Sequence, residues 1–152
     1  MKDSRTYTRD GRSPMPASER VSEQMSRIRG KDTRPERALR ALLSAAGIRG
    51  YRLHWAKASG RPDVAFVGRK VAVFVHGCFW HGCPHCSPPR PKHNRGFWKA
   101  KLDRNAARDR RNTRQLRQAG WRVVTLWDCR LRKFPQAALR RVQRALADGQ
   151  HR

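Results

Sequence analysis

Carboxylates are scarce in this chain, so each one near a histidine is a candidate for chemistry. Thirty-six Lys and Arg residues outnumber eleven Asp and Glu residues over 152 positions, which leaves a formal charge of +25. Such a charge indicates a polyanionic partner, and a carboxylate beside a polyanion weakens binding unless it holds a cation there. Between positions 36 and 128 the acids are Glu36, Asp63, Asp103, Asp109 and Asp128.

Asp63 is the strongest candidate for a catalytic metal ligand. It follows Gly60-Arg61-Pro62 and precedes a short apolar run, so it lies at the start of a predicted strand. A carboxylate in that position can hold Mg2+ against a scissile phosphate and lower the pKa of a bound water. The alternative is that Asp63 only forms a turn after the proline.

Two histidines near a later predicted strand could move protons. His76 directly follows that strand, and His81 lies further along the same segment. Near a metal on Asp63, they could take a proton from an attacking water and stabilise or protonate the leaving oxygen. Isolated histidines more often lie on the surface or support a zinc site. Their combination with Asp63 favours an enzyme.

Glu36 and Asp109 have structural alternatives of their own. Glu36 completes a capping-box pattern with Thr33 at the start of a predicted helix. Asp109 lies among arginines on another predicted helix, where ion pairing would place it on a solvated face.

The four cysteines form one pattern that is typical of structural zinc. Cys78, Cys83 and Cys86 lie in one segment, and Cys129 follows a strand much later. Four soft ligands in this arrangement favour a closed tetrahedral Zn2+ site, which would hold the 77–86 loop to the end of that strand. Disulfides or scattered reduced thiols are the alternative, and His85 is a rival fourth ligand.

Phe79 and Trp80 form an adjacent aromatic pair inside the same segment. A rigid aromatic pair beside a basic surface can separate stacked bases. Large aromatics also commonly pack beneath a loop. The residues alone leave both interpretations open.

The predicted elements place these residues around a small sheet. The capping pattern at Thr33 begins a helix that ends at Gly47, with Leu39, Leu42, Leu43 and Ala46 on its inner face. A long helix predicted at 94–119, after the zinc segment, turns Phe97, Leu102, Ala106 and Leu116 inward. The other predicted elements are strands at 51–55, 64–67, 71–75 and 121–126 and a helix at 135–146.

This order of elements predicts an α/β fold with a small mixed sheet flanked by helices. The second and third strands form a hairpin through a turn at 68–70. We expect a disordered basic arm over residues 1–20, a domain over 21–148 and a tail over 149–152. The apolar spacing between 18 and 29 allows one short helix.

Composition excludes other classes of protein. The longest apolar run, Val71 to Val75, is far shorter than the roughly 20 residues that a membrane-spanning helix needs, and the first residues are too polar for a signal peptide. Twenty-eight of the basic residues are Arg and eight are Lys. The planar guanidinium suits phosphates and base edges, which favours nucleic acid over a lipid surface. We therefore expect a cytoplasmic protein associated with the nucleoid.

Several motifs together resemble one family, the very-short-patch-repair (Vsr) DNA mismatch endonucleases. The resemblance runs in order from Met25 to Leu146 and is most specific in the string from His76 to His81. The motifs are Gly60-Arg61-Pro62-Asp63, Val75-His76-Gly77-Cys78-Phe79-Trp80-His81-Gly82, Arg108-Asp109-Arg110-Arg111, Gly120-Trp121-Arg122-Val123 and Trp127-Asp128-Cys129.

The resemblance implies a restriction-endonuclease-like core and a specific reaction. Members of the family nick duplex DNA on the 5′ side of the thymine in a T:G mismatch, the product of 5-methylcytosine deamination, using Mg2+. We accordingly expect double-stranded DNA as the substrate, repair proteins as partners, no membrane contact and a monomeric enzyme.

The resemblance also implies roles for individual residues. Asp63 and the Val75 backbone carbonyl match the Mg2+ ligands, where the family often has a threonine in place of Val75. The family commonly has a histidine at the place of Cys83, and the loop before Cys86 is one residue longer here. The other matched positions are the assisting histidines His76 and His81, the supporting acids Glu36 and Asp109, the zinc ligands Cys78, Cys83, Cys86 and Cys129, and the DNA-intercalating residues Phe79, Trp80 and Met25.

Two other functions remain open at this point. A non-catalytic zinc module could bind nucleic acid by charge and stacking, although it would leave Asp63 and His76 without a role. A same-fold endonuclease could act on a different mismatch or site, because specificity depends on loop details and on DNA deformation.

Overall fold

The computed structural model describes residues 18–26 and 30–149. Predictions for residues 1–17 and 150–152, and for the side chain of Met25, lie outside the described residues. In this part of the chain the helices are α1 Glu19–Ser26, α2 Arg34–Ala45, α3 Cys78–His81, α4 Arg95–Gln118, α5 Asp128–Lys133 and α6 Pro135–Ala147. The strands are β1 Arg52–Leu53, β2 Val64–Phe66, β3 Val71–His76 and β4 Arg122–Trp127.

The four strands form one mixed sheet in the order β1-β2-β3-β4. Strands β2 and β3 pair antiparallel with Ala65 opposite Ala72, as the predicted hairpin requires. Strands β3 and β4 pair parallel, and α4 lies between them in the chain, as a parallel connection needs a long crossover. His76 is paired with Trp127 at the end of this ladder.

The sheet separates the core from the face that carries His76. Side chains alternate along a strand, so Val71, Val73 and Val75 of β3 share one face. That face packs with buried residues of α2, α5 and α6 in one hydrophobic cluster. His76 lies on the opposite face of β3, and α4 contacts β4. The core therefore supports the strand whose end carries a candidate catalytic residue.

The observed elements differ from the predicted ones mainly where segments are short. The first strand contains two residues instead of the predicted 51–55, and the hairpin turn includes a 3-10 turn at Val67–Arg69. Helix α1 falls within the 18–29 range where a short helix was predicted, and it includes the last two residues of the predicted arm. Helices α3 and α5 were not predicted, because four and six residues are too few to show a helical period.

The inner faces of the predicted helices are also narrower than expected. Leu102 and Leu116 of α4 are buried, but Phe97 and Ala106 are only half-buried. Ala46 is exposed because it caps the end of α2 instead of continuing it. Among the described residues, none of the helices combines the length and apolar character needed to cross a bilayer.

Candidate active site

Asp63 lies immediately before β2 and is anchored to the neighbouring strand. Its Oδ2 accepts a hydrogen bond from the Val75 backbone amide at 2.7 Å. Only 20% of the Asp63 side chain is exposed. Burial, together with the charge of Glu36, raises the pKa of Asp63 to about 6, against the opposing effect of the Val75 hydrogen bond. This is a carboxylate whose ionised form a cation would stabilise.

His54 connects Asp63 to two further acids and was not among the predicted site residues. Its Nδ1 is 4.0 Å from Asp63 Oδ1, and its Nε2 is 3.6 Å from Glu36 Oε2 and 3.8 Å from Asp32 Oδ1. The backbone explains the position, since the His54 amide donates to the Asp63 carbonyl. Recognising His54 from the sequence would have required the register in which β1 pairs with β2, and the residue pattern of this short strand does not give that register.

Glu36 combines the predicted helix cap with a place in the site. The Glu36 amide donates to Thr33 Oγ1 at 3.4 Å, as a capping residue requires. The reciprocal bond of a capping box is absent from this described turn, because Glu36 Oε2 accepts from the Asp32 amide instead, at 3.0 Å. Glu36 is 8% exposed. The capping interpretation and contact with His54 are thus compatible.

His76, His81 and Asp109 form a second group. His81 Nδ1 is 2.6 Å from Asp109 Oδ2, so Asp109 faces this histidine and not the neighbouring arginines of α4. The rings of His76 and His81 are stacked, with centroids 4.0 Å apart and planes 8° apart. His76 also contacts the Trp127 ring edge-on. Asp109 therefore orients one member of a histidine pair.

Burial and neighbouring charges set the protonation states of His76 and Asp109. Burial, followed by the charge of His81, lowers the pKa of His76 to about 4, so His76 is neutral at pH 7. Burial alone would raise the pKa of Asp109, but the hydrogen bond and charge of His81 outweigh it and hold that pKa below its usual value. Asp109 is therefore ionised at neutral pH and keeps a proton on the facing nitrogen of His81.

Both groups face one cleft of about 790 Å³. Arg61, Arg108 and Arg111 add positive charge to its walls. The cleft brings together the predicted residues Glu36, Asp63, Val75, His76, Trp80, His81 and Asp109.

The aromatic pair lies beside this cleft in a larger cluster. Phe79 and Trp80 contact the Trp98 ring, with centroids 5.5 and 5.9 Å away. Lys101 Nζ lies 5.3 Å from the centroid of Trp80. Both Phe79 and Trp80 are half-buried, which fits neither a closed core nor a fully free wedge. Trp98 and Lys101 were missed, because Phe97 was the one aromatic residue at the start of α4 that was assigned a role, as an inward-facing residue.

The four cysteine sulfurs form a separate cluster on α3, the following turn and α5. All four Sγ atoms lie within 4.8 Å of one another. The Cys129 amide donates to Cys78 Sγ, and the His85 amide donates to Cys83 Sγ, each at 3.4 Å. Among the described residues, the group of donor atoms that lie this close together consists of the four sulfurs and does not include a ring nitrogen of His85. Four thiols at this spacing match the donor set of a closed tetrahedral site.

Comparison with known proteins identifies relatives of this chain. The family model described as "DNA mismatch endonuclease Vsr" matches residues 15–87. The type II nicking enzyme V.XorIIP of Xanthomonas oryzae pv. oryzae is 44% identical over 107 residues, which cover 70% of this chain and 78% of that protein. The DNA mismatch endonuclease Vsr of Escherichia coli is 38% identical over 112 residues, covering 73% of this chain and 70% of the relative.

A solved structure supports the fold. The catalytic domain of the homing endonuclease I-Bth0305I matches with a TM-score of 0.54 at 22% identity. The match covers 78% of this chain and 98% of that domain. The mixed sheet with its flanking helices thus has the restriction-endonuclease-like architecture that was predicted.

Proposed function

The chain belongs to the Vsr family of DNA mismatch endonucleases, and on that premise we propose that it nicks duplex DNA at T:G mismatches in a Mg2+-dependent reaction. The cut falls on the 5′ side of the mismatched thymine and leaves a 3′-hydroxyl and a 5′-phosphate. The observation that carries this proposal is the convergence of Asp63 and the His81–Asp109 pair on one cleft.

Asp63 and the Val75 backbone carbonyl are the proposed Mg2+ ligands. The Val75 amide holds Oδ2 of Asp63, which fixes the orientation of the carboxylate. The opposite oxygen faces His54, whose other nitrogen faces Glu36. Bound Mg2+ would polarise the scissile phosphate and acidify a water. The buried carboxylate supports this function because a cation offsets the cost of its ionisation.

His81 is the proposed general base. Its Nδ1 proton is held by Asp109, which leaves the Nε2 lone pair to accept a proton from the attacking water. His76 is the proposed donor to the leaving oxygen, since a neutral imidazole still carries one N–H. Proton removal and leaving-group stabilisation are thus assigned to adjacent stacked rings.

The four-cysteine cluster is proposed to hold a structural Zn2+ ion, with Cys86 as the fourth ligand in place of His85. Burial alone would raise the pKa of Cys83, but hydrogen bonds from the Cys86 and His85 amides and the neighbouring sulfurs lower it. A stabilised thiolate at Cys83 suits a metal ligand, whereas burial raises the pKa values of Cys78 and Cys86, which a bound cation would lower. The ion would join the segment after β3 to the helix after β4.

The aromatic cluster is proposed to recognise the mismatch. Phe79 and Trp80 would enter the duplex beside the mismatched pair, and Met25 would approach from the other groove. Their half-burial supports this proposal, because Trp98 holds the rings while part of each remains accessible.

We also propose a monomer that cuts one strand, since one set of catalytic residues faces one cleft. The predicted division into an arm at 1–20, a domain at 21–148 and a tail at 149–152 stays part of this proposal. Repair proteins would act on the nicked product, and the enzyme would associate with DNA in the nucleoid.

A second candidate is nicking at a different mismatch or at a defined sequence. It is supported by the type II nicking enzymes V.XorIIP and V.NaeI, the latter from Lentzea aerocolonigenes and 42% identical over 123 residues. That alignment covers 78% of this chain and 73% of the relative.

A panel of end-labelled duplexes distinguishes the two candidates. Each flanking sequence is prepared with a T:G pair, another mismatch, or full pairing, and is incubated with and without Mg2+. Our proposal predicts a nick only in T:G duplexes with Mg2+. Equal cutting of the fully paired duplex would support the second candidate instead.

A further inference from the structure

A second cleft lies on the other side of the histidine pair. It has a volume of about 980 Å³ and is formed mainly by α4 and β4. Four residues line both clefts and so form a shared wall: His76, His81, Asp109 and Thr113. The proposed chemistry uses this shared wall, but it gives no role to the residues of α4 on the far side of the second cleft.

The second cleft carries positive charge that no acid neutralises. Arg110, Arg114 and Arg117 line it and are exposed on one face of α4, at the i, i+4 and i+7 positions. None of the three forms a salt bridge within the described residues. Asp109 is the acid in the lining, and its carboxylate faces His81.

This arrangement differs from the ion pairs elsewhere on the same helix. Asp103 near the start of α4 contacts Lys99 at 2.7 Å and Arg90 at 3.6 Å. Like charges three and four residues apart on a helix repel each other and destabilise it. Arg110, Arg114 and Arg117 therefore carry a cost that an anionic ligand would offset.

We propose that this cleft is a second phosphate-binding subsite, in which Arg114 and Arg117 bind a phosphodiester of the cut strand adjacent to the scissile one. The inference rests on the proposed function. A strand whose scissile phosphate lies at Asp63 can continue across the shared histidine wall into the second cleft. Guanidinium groups bind phosphate oxygens through two parallel N–H donors. The subsite would hold the strand in register.

The first test measures how DNA binding depends on salt, without Mg2+. The double variant Arg114→Gln, Arg117→Gln should bind more weakly than wild type, and its slope of log affinity against log salt should be shallower by about 0.9 for one lost phosphate contact. The double variant Arg140→Gln, Arg144→Gln is the matched control, because it also removes two charges and both arginines are exposed on α6 and line neither cleft. A slope change no larger than that of the control would overturn the proposal.

The second test identifies the phosphate. Single methylphosphonates, which remove one backbone charge, are placed in turn near the nick on either strand. At one position on the cut strand, within three nucleotides of the nick, the methylphosphonate should weaken DNA binding by wild type. At that same position it should leave the affinity of the Arg114→Gln, Arg117→Gln double variant unchanged, because the variant has already lost this phosphate contact. Equal losses for both proteins at every position, or coupling on the uncut strand, would overturn the inference.

These measurements separate the failure of this inference from the failure of the proposed function. A protein that nicks T:G duplexes but shows no coupling lacks the subsite and keeps the proposed function. A protein that shows the coupling but nicks no duplex has the subsite on a binding surface only, which overturns the catalytic premise.

Discussion

At the scale of single residues, the site depends on charges that are costly to bury. Asp63 is mostly buried beside Glu36, and its pKa is raised to about 6 mainly by that burial. The folded protein therefore binds a proton at Asp63 more tightly than the unfolded chain does. This contribution favours folding below pH 3.8 and is lost as the pH rises through about 6.

Asp63→Asn should consequently stabilise the protein when Mg2+ is absent. The ionised carboxylate opposes folding at pH 8 by up to about 3 kcal/mol, and asparagine can still accept the Val75 hydrogen bond without a charge. We expect the variant to unfold roughly 5 to 10 °C above wild type at pH 8 and by a smaller margin at pH 5. Thermal unfolding followed by circular dichroism measures this, and equal midpoints at pH 8 would contradict it.

Asp109→Asn tests the orientation of His81. The amide of asparagine can donate to Nδ1, which would place the ring proton on Nε2 and remove the lone pair that accepts a proton from water. We expect the single-turnover nicking rate to fall about 10²- to 10⁴-fold with DNA affinity retained. Asp103→Asn on the same helix is the control, since Asp103 forms only exposed ion pairs. Equal rates for the two variants would exclude this role.

At the scale of elements, two short connections position the catalytic residues. The loop before β2 is tied to α4, because the Ser59 hydroxyl donates to Gln115 Oε1 at 2.6 Å, and Ser59 Oγ also lies 3.3 Å from Asn112 Oδ1. Gly60 has a φ of +77° beside this contact, and a Cβ there would lie 2.8 Å from Asn112 Nδ2. The other connection is α3, which follows β3 and carries His81 together with Cys78.

Gly60→Ala should displace the loop that ends at Asp63. The added methyl group meets Asn112 and the left-handed backbone disfavours alanine, for a combined destabilisation of about 1 to 2 kcal/mol. The nicking rate should fall as well, because the displaced loop carries Asp63. Gly68→Ala is the control, since nothing lies within 4 Å of its Cβ position and its φ is not positive. Urea unfolding and nicking rates measure both variants, and identical behaviour would contradict the prediction.

Replacing one proposed zinc ligand tests the second connection. Cys86→Ser should lower the zinc content below one ion per chain and reduce the melting temperature by about 10 °C, because ligand loss removes metal-binding energy from folding. His85→Ala should retain one zinc ion. Elemental analysis of the purified proteins gives the content. Retention of zinc by Cys86→Ser with loss from His85→Ala would reverse the assignment.

The sequence allowed prediction of elements whose pattern is local. The β2–β3 hairpin, α2 and α4 follow from apolar periodicity, capping residues and turn residues, and the structure confirms them. His54 was missed because its approach to Asp63 depends on pairing at a strand of two residues. Trp98 was missed because an aromatic residue on a helix can pack against the core or against another ring, and its position in the sequence does not distinguish the two. Neither contact has a signature in residue spacing.

At the scale of the whole molecule, a large positive charge surrounds a small acidic centre. The formal charge is +25, yet Asp32, Glu36 and Asp63 gather around His54. A chain that binds DNA through its charge alone would not need the buried carboxylates of Glu36 and Asp63 next to the binding surface. This arrangement favours a metal-dependent nuclease over a simple binding module.

The most direct test of this account compares cutting with binding for Asp63→Asn and wild type. Each protein is mixed, in molar excess over the DNA, with an end-labelled T:G duplex, and nicking is followed with and without Mg2+. The affinity of each protein for the same duplex is measured separately by fluorescence anisotropy. We predict one Mg2+-dependent nick 5′ of the mismatched thymine for wild type, no nick for the variant, and similar affinities. Nicking by the variant at the wild-type rate, or equal loss of binding and cutting, would contradict the central role of Asp63.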